Sequence, residues 1–117
     1  MGTLTYDGET VSFEDRTLAH LQAAITTKLR RREPFLLSWK CDEAGLPART
    51  SLWIDNAIPI RYAFERADLG GLNTAWLNSM IEMAGRTSGL LVTDEPTDLG
   101  EYRDRRVRAG TRSVAAV

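Results

Sequence analysis

A lysine two residues ahead of an aspartate, in Lys40-Cys41-Asp42-Glu43, is the fragment of this sequence that comes nearest to a reaction centre. In nucleotidyltransferases a Lys-x-Asp-Gly motif supplies a lysine nucleophile that takes up AMP as a covalent phosphoramidate. Here Glu43 stands where that motif has glycine, and its negative charge would oppose an α-phosphate. A charged loop is the reading these residues favour, with Cys41 as an ordinary free thiol. Cys41 is the single cysteine, so neither an internal disulfide nor a Cys-rich zinc site is open to it. His20 is the single histidine. At about 100° per residue it lies roughly 200° around a helix from Leu18, which predicts a solvent-facing ring without an orienting carboxylate. Gly70-Gly71 lacks the wider pattern of a phosphate-binding loop. No catalytic set, metal site or cofactor motif emerges.

Binding chemistry has more to stand on. Tyr6, Phe13, Phe35, Trp39, Trp53, Tyr62 and Phe64 all fall in strand-like segments, and aromatic sheet faces can stack unpaired bases. Most of them alternate in register with aliphatic residues, the pattern of a face packed under helices. Trp53 is the exception, because Leu52 and Ile54 take the other face, and it is expected on an exposed face or at an interface. Two basic clusters are candidates for phosphate contact: Lys28, Arg30, Arg31 and Arg32, and then Arg103, Arg105, Arg106 and Arg108.

These residues need elements to place them. Asp7-Gly8 is a two-residue turn signal that pairs Tyr6 with Glu9, Leu4 with Val11 and Gly2 with Phe13. A helix is predicted from about 14 to 32, started by Ser12 or Glu14-Asp15, striped by Leu18, Leu21, Ile25 and Leu29, and stopped by Pro34. Residues 34–39, 50–54 and 58–64 read as three strands of an antiparallel meander, with 41–47 a polar loop. Asn73 caps a second helix whose apolar face is Trp76, Leu77, Met80, Ile81 and Ala84, ending at Gly85. A short strand follows at 89–93. The order ββαβββαβ predicts an α+β two-layer sandwich, a mostly antiparallel sheet with two helices packed on it.

The chain has 117 residues, 43% of them hydrophobic and 26% charged, which suits one soluble domain. The net charge of −1 hides an asymmetry. Residues 1–99 carry ten basic and fourteen acidic residues, whereas 100–117 carry five arginines and two acids. This predicts a folded domain over 1–97 and a basic, disordered tail over 98–117. No apolar stretch approaches the ~18 residues of a membrane-spanning helix, and no secretory signal is visible, so a cytoplasmic location is expected.

The opening Met1-Gly2-Thr3-Leu4-Thr5-Tyr6-Asp7, together with Leu18-Ala19-His20-Leu21, Lys28-Leu29-Arg30-Arg31 and 35–39, resembles a family of small actinobacterial proteins. Its members often carry the label "ATP-dependent DNA ligase", although their domain is one of unknown function. The resemblance spans residues 1 to about 97 and implies one compact domain. The label implies adenylation chemistry, for which Lys40-Cys41-Asp42 is the only echo. The residues favour a non-enzymatic interaction module that forms a homo-oligomer. The alternative is weak electrostatic association with nucleic acid through the two basic clusters.

Overall fold

A computed structural model describes residues 1–96, apart from the Glu43 side chain. The tail with Arg103, Arg105, Arg106 and Arg108, and with it the predicted boundary at 97, lies outside the described residues. The fold is α+β with the expected order ββαβββαβ: β1 (Gly2–Tyr6), β2 (Glu9–Phe13), α1 (Asp15–Arg30), β3 (Phe35–Glu43), β4 (Leu46–Ile54), β5 (Ile60–Ala63), α2 (Thr74–Ala84) and β6 (Leu90–Leu91). No helix among the described residues is long and apolar enough to cross a membrane.

The first hairpin forms in the expected register, Gly2 against Phe13, Leu4 against Val11 and Tyr6 against Glu9. Its turn takes positive φ at both Asp7 (52°) and Gly8 (83°), the geometry that matches strand twist. The strands divide into two sheets, β2-β1-β5 and β4-β3-β6. The expected meander of β3, β4 and β5 is therefore corrected, since β5 leaves β4 and pairs antiparallel with β1, Leu4 against Tyr62. Three hydrogen bonds lead it away. The Asp55 N–H donates to the Tyr6 hydroxyl, the Ala57 N–H to the Asp55 side chain, and the Asn56 amide to the Leu29 carbonyl at the end of α1.

The predicted loop at 41–47 is also corrected. β3 and β4 run on to a two-residue turn at Ala44-Gly45, with φ of 53° and 79°. The outer half of this hairpin projects past the core, so its residues have no apolar alternation to betray a strand. Pro47 sits in β4, which is an edge strand and so tolerates it.

Leu4, Tyr6 and Phe13 from one sheet and Phe35, Leu37 and Ile54 from the other share one core with both helices. Phe13 meets Trp39 edge to face at 5.9 Å, and the Tyr6 hydroxyl reaches across to β4 by donating to the Trp53 carbonyl at 2.9 Å. Both contacts fasten sheet to sheet.

The helices lie side by side and run the same way. His20 meets the start of α2 at Asn73, and the Lys28 ammonium lies beside Gly85 at its end. α2 begins as predicted, with the Asn73 side chain accepting from the Trp76 N–H. α1 begins at Glu14 without a side-chain cap, since Ser12 belongs to β2. It ends as a Schellman motif: Arg32 donates to the Leu29 carbonyl and Glu33 to the Lys28 carbonyl. Arg32, at φ 57°, holds the left-handed position that glycine usually fills.

Candidate interaction site

The solvent-facing position predicted for His20 is wrong, because its ring is fully buried. α1 carries a second buried stripe, His20, Ala24 and Lys28, spaced by four residues and covered by α2. The small Ala24 lets the helices close, and Trp76 lies over the imidazole with ring centres 4.4 Å apart. Only one member of that stripe is apolar, so its spacing did not read as an interface.

The imidazole is held at both nitrogens. Asn73 N–H donates to Nε2 at 2.8 Å, which leaves the proton on Nδ1 to donate to the Arg16 carbonyl at 2.8 Å. Next to it, Arg16 grips Glu95 through two bonds of 2.6 and 2.9 Å and also donates to the carbonyls of Leu69 and Gly71. The Asn73 amide adds a bond to Glu95. Hydrogen bonds from Arg16 and Asn73 hold the Glu95 carboxyl below the usual carboxylate range. Histidine, arginine and carboxylate together invite a catalytic reading, yet each polar group is already bonded within the fold. The cluster is a clasp joining α1, the 69–73 segment, α2 and the chain after β6.

The first basic cluster divides. Lys28 is 7% exposed and donates to Glu33 at 2.8 Å, so it is turned inward rather than toward a phosphate. Arg30, Arg31 and Arg32 are exposed at the end of α1. Arg30 and Arg32 border an open groove of about 650 Å³ whose floor includes Ile25, Ile60 and Tyr62. Burial pushes the Tyr62 hydroxyl up to about 12. Lys40 projects from β3 opposite Arg49, and Cys41 Sγ lies 3.5 Å from Thr50 Oγ1, so this fragment belongs to a hairpin and not to a loop.

Trp53 stands in the open at 58% exposure. It shares the outer face of the β4-β3-β6 sheet with Leu36, directly opposite, and with the Ser38–Ser51 hydroxyl pair at 2.7 Å. β4 pairs with β3 on one side, and no described strand pairs with its other edge. Leu46, 67% exposed, closes the far end of the same strand. A nine-residue edge strand with one charged residue, Arg49, lacks the usual protections against pairing with another chain, Pro47 excepted.

A family model described as a domain of unknown function (DUF7882) matches residues 1–95. No curated protein and no solved structure matches the chain.

Proposed function

Since the chain belongs to this family, whose description leaves its role open, we propose that it is a cytoplasmic, non-enzymatic interaction module that associates with itself. The observation that carries this reading is Trp53, a large aromatic residue in the open beside a strand edge that no described strand pairs with. Tryptophan is among the residues most often found at the energetic centre of interfaces. Light scattering over a concentration series tests the reading. The mass should rise from one chain toward two, and Trp53→Ala should shift that rise to higher concentration. A mass fixed at one chain up to about millimolar concentration, where even weak pairs populate, refutes it.

Arg30, Arg31 and Arg32, exposed together at one helix end, favour a second reading in which the chain contacts nucleic acid. Such binding would be electrostatic and would weaken steeply with salt, with a log–log slope near −0.9 per phosphate neutralised. A gel-shift titration at low salt that shows no binding ends this reading. Binding that survives removal of 100–117 assigns the contact to the helix end.

A further inference from the structure

We propose that two copies of this chain pair edge to edge along β4, antiparallel about a two-fold axis, with Thr50 facing the partner's Thr50. This rests on the self-association reading above and gives it a register. The two-residue turn Ala44-Gly45 is flanked by the pair Glu43 and Leu46. In such hairpins the flanking residues exchange both backbone hydrogen bonds, and bonded pairs then recur at every second residue. Residues 46, 48, 50, 52 and 54 therefore bond to β3, while the backbone groups of 47, 49, 51 and 53 point outward. The Tyr6 hydroxyl donating to the Trp53 carbonyl independently shows that this carbonyl faces away from β3.

The outward edge thus lacks one donor, at Pro47, and has one acceptor already engaged, at Trp53. With Thr50 on the axis, Arg49 exchanges both bonds with the partner's Ser51. Trp53 N–H donates to the carbonyl of the partner's Pro47. The return bond would need a proline N–H and a Trp53 carbonyl free of Tyr6, so the two gaps fall on each other. Moving the axis to Arg49 sets Ser51 against the partner's Pro47 and leaves the Ser51 carbonyl without a donor. Moving it to Ser51 aims the N–H of the partner's Arg49 at the carbonyl that Tyr6 already occupies. Axes between residues would set outward groups against inward ones.

The side chains select the same register. Trp53 comes beside the partner's exposed Pro47 on the outer face, which covers the most prominent aromatic residue of β4, while Leu46 falls at the level of the partner's Ile54, whose side chain is buried in its own core. Arg49, the only charge on the strand, lies opposite the partner's Ser51 rather than opposite itself. The result is a continuous six-stranded sheet. Its contact area is small against the ~800 Å² per partner of a standard interface, so dissociation in the micromolar range is expected.

Disulfide trapping tests the register. Cys41 is first replaced by serine, because its sulfur lies within reach of position 50. Thr50→Cys, Arg49→Cys and Ser51→Cys are then made singly in that background, checked for native circular dichroism, and oxidised. The Thr50 pair is non-hydrogen-bonded, with Cα atoms about 4.5 Å apart, inside the range a disulfide spans. The other two positions face their own copies only diagonally, about 7–8 Å away. Thr50→Cys should trap a dimer at least tenfold faster than either. Faster trapping at 49 or 51, or no trapping in a protein that light scattering shows to be dimeric, overturns the register while self-association stands. A monomer at all concentrations overturns both.

Discussion

Replacing His20 with leucine removes a hydrogen-bond acceptor from the interior while keeping an apolar group of similar bulk. The Arg16 carbonyl loses a side-chain donor but lies within the helical ladder of α1, so it keeps a partner. Asn73 N–H has no such reserve, for its acceptor is Nε2, 2.8 Å away. A buried donor left unsatisfied costs about 1–3 kcal/mol. The stacking lost against Trp76 adds about 0.5–1.5 kcal/mol, partly offset by the packing of leucine. The net expectation is about 2 kcal/mol. For a domain near 100 residues, 1 kcal/mol shifts Tm by about 4–8 °C, so His20→Leu should melt about 8–16 °C below the parent chain. Thermal unfolding followed by tryptophan fluorescence and by far-ultraviolet circular dichroism would measure this. His20→Gln, able to offer an oxygen to Asn73, should recover part of the loss. A Tm unchanged within 2 °C in His20→Leu would refute the argument, since Asn73 N–H would then not depend on the ring.

Glu95→Gln should lower Tm at neutral pH. Because hydrogen bonds from Arg16 and Asn73 hold this carboxyl below its ordinary value of 4.5 in the folded protein, the stability it gives is present above that pH and lost as pH falls through the folded value. Melting curves of the parent and the variant should therefore converge as the medium is acidified, and a gap that stays constant over the whole acidic titration would contradict the Arg16–Glu95 pairing. Arg32→Gly relieves a left-handed backbone at φ 57° and should stabilise by about 1 kcal/mol, measured by urea denaturation; destabilisation would show that the arginine side chain holds the helix end. Gly89→Ala should destabilise by about 3 kcal/mol or more, because φ is 80° and a Cβ would run into the Leu36 carbonyl. Gly85→Ala is its control, with ordinary helical backbone and room for the methyl group, and should fall within about 1 kcal/mol of the parent on the stabilising side.

What could be read from the sequence was what is local. Asp7-Gly8 specified a turn type and hence a register, and Asn73 with the Trp76-Met80-Ala84 spacing specified a cap and a face. The isolation of Trp53 followed from strand parity alone, because its neighbours Leu52 and Ile54 claim the other side. What was hidden depends on partners far along the chain. β5 announces itself by alternation, but alternation does not say which edge it joins, and the bonds to Tyr6 and Leu29 that redirect it connect residues distant in sequence. His20 and Lys28 look like surface residues until α2 covers them. The clasp around Glu95 joins residues 79 positions apart, a spacing that no local pattern reports.

The β1–β5 pairing joins residues at the start of the chain to residues 60–63. Closing so long a loop is entropically more costly than closing a hairpin, by (3/2)RT times the logarithm of the length ratio. The hairpins β1–β2 and β3–β4 and the helix α1 can therefore form within microseconds of becoming available, while the first sheet waits for its third strand. During synthesis the inner edge of β1 stays open until β5 emerges, and the clasp cannot shut until Glu95 is free of the ribosome. These segments thus emerge as separate local pieces, and the clasp ties them together only once Glu95 can reach Arg16 and Asn73. A nascent chain stalled before residue 95 is accordingly expected to be cut by protease within α1, and one stalled well beyond it to resist.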